Sequence, residues 1–140
     1  MATLFTRIIA GELPGRFIWK DPHCVAFLTI EPLAPGHVLV VPRDEIDHWL
    51  DLTPELNAHL FEVARQIGAA LQETFEPTKV GLIVAGLEVN HVHLHVVPIR
   101  ALGELNFANA DRNASADDLD AAAERLRHCL RSHGHEHVSD

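Results

Sequence analysis

Features typical of exported or membrane proteins are scarce in this chain. It has only two cysteines, Cys24 and Cys129, which lie far apart and outside any paired motif. One disulfide between them is an alternative, but so few thiols favour a reducing compartment. The N-terminal residues contain no long apolar run and no cleavage-like site, so the sequence predicts neither a signal peptide nor a membrane-spanning helix. We therefore expect a cytoplasmic protein with no membrane partner.

Positive charge is scarce as well. The chain has 11 Lys and Arg against 20 Asp and Glu, and its formal net charge is −9. Duplex nucleic acid is bound by Lys and Arg that neutralise phosphates, so this balance argues against a nucleic acid as partner. It does not exclude a small nucleotide, because backbone N–H groups and a few aimed side chains bind an anion in a local pocket.

Hydrophobic residues, in contrast, are plentiful. They make up 47% of the 140 residues, and only 22% are charged. A chain of this size and composition fits one domain with a single core, which needs no disulfide and no structural metal to fold. Alternating or continuous apolar runs between turn residues predict strands at residues 17–20, 24–29, 36–41, 80–85 and 91–99.

Helix signals separate these predicted strands. A short helix is predicted at residues 4–10, and a long one begins at Thr53 and Pro54 and ends before Pro77. A final helix begins at Ser115 and continues to about residue 130. Helices packed on an antiparallel or mixed sheet give an α+β fold. We assign residues 1–110 to the main domain, and residues 111–140 to a C-terminal helix and a flexible, histidine-rich tail of the same domain.

Three alternating histidines, His91, His93 and His95, stand in the last predicted strand. Side chains at every second strand position share a face and are roughly 6–7 Å apart. The apolar residues between the histidines are explained by core packing, but the imidazoles are not. A metal site, nucleophilic catalysis, and structural or surface histidines are the competing interpretations.

Nucleophilic catalysis is the interpretation that we favour. A zinc site needs further ligands, and no Cys-x-x-Cys or His-Glu-x-x-His pattern accompanies the histidines. Imidazole titrates near neutrality, attacks phosphorus or acyl centres and leaves again. A neighbouring imidazole can protonate a leaving group and later activate water.

The run His91-Val-His-Leu-His-Val-Val97 resembles the His-φ-His-φ-His-φ-φ signature, with φ apolar, of the histidine-triad (HIT) family. Residues 5–14 resemble the opening helix and Pro turn of that family, and residues 24–42 resemble its second and third strands. The similarity covers about residues 4 to 100. We identify the chain as similar to the Hint-like branch of nucleotide hydrolases and transferases.

This resemblance implies a five-stranded antiparallel sheet with helices, usually paired into a homodimer whose sheets join. It also implies that His93 attacks the α-phosphorus of a purine nucleotide conjugate and forms a nucleotidyl-histidine, which water or another acceptor then resolves. By position, His91 would orient His93 through its backbone carbonyl, and His95 would contact the phosphate and leaving group. His37 would complete the set, and no metal or cofactor is implied.

Substrate-binding residues are also implied by the resemblance. Apolar residues stand at the base- and ribose-pocket positions: Leu4, Phe5, Ile8, Phe27, Ile30 and Leu39. Thr29 stands where an Asp or Asn commonly binds the ribose hydroxyls. The loop before the triad, with Gly86, Glu88 and Val89, is shorter than usual, and Glu88 takes a position that is often Ser in Hint-type members.

Glu45 replaces a histidine that is common after the third strand, a change that bears on substrate choice and not on the nucleophile. The N-terminal cysteines of the zinc-binding bacterial branch are missing. We therefore expect no structural zinc. The resulting hypothesis is a homodimeric hydrolase or transferase that cleaves a nucleoside phosphoramidate or a related adenylate. The alternatives are a dinucleoside polyphosphate hydrolase and a nucleotide-binding module with little turnover.

Overall fold

The computed structural model of the chain describes residues 2–140, in which three α-helices flank and separate a group of three strands and a group of two. The helices are α1 (Leu4–Ile9), α2 (Pro54–Phe75) and α3 (Ala116–Ser132). The strands are β1 (Phe17–Lys20), β2 (Cys24–Leu28), β3 (Val38–Pro42), β4 (Lys79–Ile83) and β5 (Leu94–Ile99). All five strands form one antiparallel sheet in the order β1-β2-β3-β5-β4. The predicted α+β class is confirmed.

The two faces of the sheet are covered by different helices. On β2, Cys24, Ala26 and Leu28 point into a large core formed with α2 and α3. Val25 and Phe27 point to the opposite face, into a smaller cluster formed with α1. Adjacent strand residues alternate between faces, so a strand that is buried throughout its length serves both cores. We refer below to these surfaces as the helix face and the triad face.

Helix α2 has the boundaries that its capping residues predict. The Thr53 hydroxyl accepts a hydrogen bond from the Leu56 amide, and Pro54 occupies the first turn, where a missing N–H costs nothing. The helix ends at Glu76, which adopts a left-handed conformation with φ of 49°. Its inner side is apolar and buried, which holds the helix against the sheet. None of the helices within residues 2–140 has both the length and the apolar character needed to cross a membrane.

Strand β5 begins later than the sequence pattern predicts. The predicted strand 91–99 includes all three triad histidines, but β5 starts at Leu94. The His91 amide donates to the Val89 carbonyl at 2.8 Å, and the Val92 amide donates to the Ile46 carbonyl at 2.7 Å. These bonds take the backbone out of the sheet ladder. His91 and His93 are therefore placed by a loop, and only His95 by the strand.

The C-terminal tail lies against strand β1. Val138 forms an isolated antiparallel bridge with Trp19. The Lys20 amide donates to the His137 carbonyl at 2.9 Å, and the Ser139 amide donates to the Ile18 carbonyl at 3.0 Å. Strand β1 is at the edge of the sheet and has free donors and acceptors. The tail satisfies them and extends the sheet beyond β1.

Candidate active site

His37 and His95 are brought together by neighbouring strands. Leu39 of β3 pairs with His95 of β5, and His37 immediately precedes β3. Gly36 allows the chain to enter β3 here, because its φ of +95° is left-handed and an added Cβ would lie 2.7 Å from the Phe75 ring. The Nε2 of His37 is 2.9 Å from the Nδ1 of His95.

A chain of hydrogen bonds orients His93. The Nε2–H of His91 donates to the Pro42 carbonyl at 2.8 Å, which leaves Nδ1 of the same ring to accept the Thr3 hydroxyl at 2.7 Å. The Nδ1–H of His93 donates to the backbone carbonyl of His91 at 2.8 Å. A carbonyl can only accept, so the proton of the neutral His93 ring is on Nδ1 and its Nε2 carries a free lone pair.

A second chain of hydrogen bonds leaves a donor, not a lone pair, on the outer nitrogen of His95. The Leu33 amide donates to Nδ1 of His37 at 3.0 Å, so the proton of that ring is on Nε2 when the ring is neutral. His37 then donates to Nδ1 of His95, and His95 carries its own proton on Nε2. The rings of His93 and His95 are 4.8 Å apart. Adjacent imidazoles therefore present a lone pair on one ring and an N–H donor on the other.

Burial keeps these three rings uncharged near neutral pH. It lowers the pKa of His37 to about 3 and that of His95 to about 4, and the neighbouring histidines act in the same direction. Burial also lowers the pKa of His93, against the hydrogen bond to His91 and the nearby Glu88 carboxylate. A neutral His93 is the form that can act as a nucleophile.

An apolar cavity of about 320 Å³ opens beside the triad. Its lining includes seven of the predicted substrate-binding residues: Leu4, Phe5, Ile8, Phe27, Thr29, Ile30 and Leu39. The Phe5 ring meets the His93 ring edge-on, with 4.8 Å between the centroids. Leu4 and Ile30 are 47% and 69% exposed, so they form the open rim of the cavity.

A smaller cavity of about 60 Å³ lies on the other side of Thr29, which lines both. His37 and His95 form one wall, and Glu88, one of the predicted substrate-binding residues, also lines it. The remaining lining residues share no predicted role: Glu31, Phe107, Ala110 and Arg112. The site therefore has an apolar part and a small charged part, and the histidines stand between them.

A family model that describes the HIT domain matches residues 10–102. The chain belongs to the HIT family. The protein named Hit of Bacillus subtilis is 33% identical over 106 residues, which are 72% of this chain and 73% of that protein. An uncharacterized HIT-like protein of Mycobacterium tuberculosis is 33% identical over 135 residues, which are 93% of this chain and 94% of that protein.

A solved HIT structure confirms the fold. The crystal structure of a zinc-bound histidine triad family protein from Mycobacterium smegmatis is similar over 94% of this chain and 95% of that one. The TM-score is 0.81 and the sequence identity is 28%. Family membership places the chain among nucleotide hydrolases and transferases.

Two predicted substrate residues stand apart from both cavities. Val89 packs against the apolar cluster of the triad face. Gly86 lies in the preceding loop with φ of +77°, where an added Cβ would be 3.8 Å from the Asp47 carbonyl. The structure thus brings the triad, His37 and eight of the ten predicted substrate residues together, and it places Gly86 and Val89 in supporting positions.

Several residues of the site were not predicted from the sequence. Thr3 caps α1 and also donates to His91, and its amide donates to Glu45 at 2.8 Å. The Phe107 ring packs against the His95 ring at a tilt of 60°, with 4.9 Å between the centroids. It is the one Phe, Tyr or Trp after Arg100, which is the sequence signal that distinguishes it. Arg112 is also outside the HIT match and reaches the site only through the fold.

Proposed function

We propose that this HIT protein hydrolyses or transfers the nucleotidyl group of a nucleoside phosphoramidate or a related adenylate through a nucleotidyl-histidine at His93. The observation that carries the proposal is the opposite polarity of the two buried imidazoles. Hydrogen bonds leave a lone pair on Nε2 of His93 and an N–H on Nε2 of His95, and the centroids of the two rings are 4.8 Å apart. A nucleophile beside a hydrogen-bond donor is the arrangement that substitution at phosphorus needs.

In the first step, Nε2 of His93 attacks the α-phosphorus and a P–N bond forms. The bond from phosphorus to the leaving group breaks, and the leaving amine departs with its electron pair and takes up a proton from solvent, which the attacking water returns in the second step. His95 is neutral near pH 7 because its pKa is about 4. It therefore donates a hydrogen bond to the phosphoryl or leaving atom. Water then attacks the phosphorus, releases the nucleoside monophosphate and regenerates His93.

The apolar cavity holds the base in this proposal. Its volume of about 320 Å³ and its Leu, Ile and Phe lining suit a flat purine ring. Thr29 lies between the apolar and the charged cavity, where a ribose would connect the base to the phosphate. Its hydroxyl supplies one hydrogen-bonding group in place of the two oxygens of an Asp.

Charge on the leaving-group side favours a phosphoramidate over a dinucleoside polyphosphate. Glu31 and Glu88 line the small cavity next to His95, and Arg112 offsets only one of the two negative charges. A polyphosphate leaving group is strongly anionic and would be repelled there. A neutral or cationic amine would not be repelled.

The protein also acts as a homodimer in this proposal. Strand β4 is at an edge of the sheet, and Leu82 on this strand is 45% exposed. A groove of about 270 Å³ runs along it, with Phe61 and Gly68 of α2 on the other side. Antiparallel pairing of two β4 edges satisfies their free N–H and C=O groups and covers the groove.

Two free, buried thiols support a reducing, cytoplasmic location.

Intact-protein mass spectrometry after brief mixing with an adenosine phosphoramidate tests the covalent step. We expect an acid-labile nucleotidyl adduct on the parent and its absence on His93→Ala, with adenosine monophosphate released by the parent only. His135→Ala removes a tail histidine outside the site and serves as the matched control. It should form the adduct as the parent does.

Two other results would assign a different function. Nucleotide binding without adduct or turnover in the parent, and intact binding in His93→Ala, would indicate a nucleotide-binding module. Faster hydrolysis of a dinucleoside polyphosphate than of the phosphoramidate would reverse the substrate assignment. Comparing kcat/KM for the two substrates on the same preparation decides between these classes.

A further inference from the structure

A second buried cluster of chemically reactive side chains lies on the helix face of the sheet. Its members are Asp21, Cys24 and His59. Asp21 and Cys24 are 5% and 0% exposed, and His59 reaches them from α2. The Oδ2 of Asp21 is 2.7 Å from Nε2 of His59 and 3.4 Å from Sγ of Cys24. The three atoms lie within 4.8 Å of one another.

The turn between β1 and β2 orients the Asp21 carboxylate. Its Oδ1 accepts the backbone N–H groups of His23 and Cys24 at 2.7 and 2.8 Å. This side-chain turn is the conformation that Asp favours locally. It directs Oδ2 toward α2 and places Cys24 beside it at the start of β2. Two of the three groups are therefore positioned by a four-residue stretch, before any contact with the helix.

Three donors compete for the single oxygen Oδ2. The Trp19 indole N–H is 2.7 Å from it, His59 is at the same distance, and the thiol of Cys24 is at 3.4 Å. A carboxylate oxygen has about two lone-pair sites, so one donor is poorly accommodated. A cation in place of the His59 and Cys24 protons would turn these two competing donors into ligands.

We propose that Asp21, Cys24 and His59 bind Zn²⁺ or a similar borderline divalent transition ion. Thiolate, imidazole and carboxylate together suit such an ion and not Mg²⁺ or Ca²⁺. Tetrahedral zinc places oxygen and sulfur ligands about 3.5 Å apart and oxygen and nitrogen ligands about 3.3 Å apart. The O···S distance of 3.4 Å already fits, and His59 needs to withdraw by about 0.6 Å.

The surroundings permit this movement and the entry of an ion. The His59 side chain is 35% exposed and lines a cavity of about 470 Å³ that also contains His23, Asp44 and Glu55. The rings of His23 and His59 are 5.2 Å apart, so His23 or water is available as a fourth ligand. Arg43 on the same wall is tied to the Asp21 carbonyl at 2.8 Å, and Asp44 and Glu55 offset its charge.

The site is independent of the proposed catalysis. Cys24 points to the helix face, whereas the triad histidines serve the opposite face. Binding would release the Cys24 proton to solvent and join the β1–β2 turn to α2. The inference thus assigns a structural ion, in place of the expectation of no structural zinc that followed from the missing N-terminal cysteines.

Cobalt titration of the full-length chain tests the site, because a cobalt–thiolate bond gives a ligand-to-metal charge-transfer band. We expect one Co²⁺ per chain with this band and tetrahedral visible bands, and competition by Zn²⁺. The chain contains only two thiols, so Cys24→Ser should lose the charge-transfer band and Cys129→Ser should keep it. A parent without the band, or a band that depends on Cys129 alone, overturns the proposal.

His59→Gln provides a second variant in case Cys24→Ser does not fold. The half-exposed His59 tolerates this change, and far-UV circular dichroism verifies the fold. We expect Co²⁺ affinity to fall at least tenfold and the Zn²⁺-dependent rise in Tm to disappear. Unchanged affinity and an unchanged Tm rise would overturn the assignment. Phosphoramidate turnover, measured in parallel, reports separately on the proposed function.

Discussion

Each face of the sheet carries a buried cluster of hydrogen-bonded polar side chains, and the two clusters differ in where their hydrogen bonds end. On the triad face, backbone groups fix the protons so that Nε2 of His93 and of His95 are left for a ligand. On the helix face, donors converge on Oδ2 of Asp21 from three directions. Burial alone therefore does not identify a reactive site. The groups at the ends of a hydrogen-bond chain do.

The largest expected effect is a loss of activity that only the histidine cluster of the triad face should show. His93→Ala should lower kcat/KM for an adenosine phosphoramidate by at least about 10³-fold, because it removes the attacking atom. Its free energy of unfolding should change much less than that of an Asp21 variant. Steady-state kinetics and urea unfolding on the same samples check both statements. A residual rate above one-tenth of the parent rate would show that His93 is not the nucleophile.

The reverse pattern is expected for Asp21→Ala. This change leaves the Trp19 indole, His59 and two backbone amides without their buried acceptor. We expect a loss of about 3–5 kcal/mol in the free energy of unfolding, with little change in turnover per folded molecule. Urea unfolding with a chelator present measures the loss without any contribution from metal. Asp120→Ala, at an exposed carboxylate that pairs with Arg16, is the control.

A pH change from 7 to 5 distinguishes the two faces by the pH range in which each loses stability. His37 and His95 have pKa values lowered by burial to about 3 and 4, so in this range they take up protons mainly in the unfolded chain. The free energy of unfolding should therefore decrease as the pH is lowered from 7 to 5, by on the order of 1–2 kcal/mol for each ring.

The Asp21 carboxyl does not contribute to this change. Burial raises its pKa, but hydrogen bonds from Trp19, the backbone and His59 hold it well below the ordinary value. Its stabilisation is present above the unfolded pKa near 4 and is lost only at lower pH. Urea unfolding at several pH values gives the slope. His37→Asn should reduce the slope, and an unchanged slope would exclude His37 as its source.

The smallest expected effect concerns the rim of the apolar cavity. Ile30→Ala should weaken nucleotide binding about three- to tenfold, because a few methyl groups lose contact with the base. The value of kcat should stay unchanged, since Ile30 is remote from the reacting atoms. Leu102→Ala removes a similarly exposed side chain outside the cavity and should leave KM unchanged. Equal effects of both variants would contradict a base-binding role for the rim.

Elements that depend on neighbouring residues could be predicted from the sequence, and features that depend on distant residues could not. Strand β1 and the start of α2 depend on local patterns and on the capping residue Thr53, and the predictions match. The start of β5 does not match, because Val92 pairs with the distant Ile46 carbonyl. No local pattern encodes that bond.

The same distinction applies to the candidate site. The triad and most of the cavity are recognisable because the family motif is contiguous and ordered along the chain. Thr3 contacts His91 only after the chain has folded, and Asp21 meets His59 in the same way. The C-terminal tail reaches β1 through a bridge to Trp19 that no histidine-rich composition would predict.

The pairing of the tail with β1 also governs how copies of the protein can assemble. A sheet with two open edges can add copies at both ends and grow without limit. Here residues 137–139 cover one edge, so within residues 2–140 β4 is left as the uncovered edge of the sheet. A single self-complementary edge closes on a two-fold axis and stops there. The last few residues thus act against open-ended polymerisation.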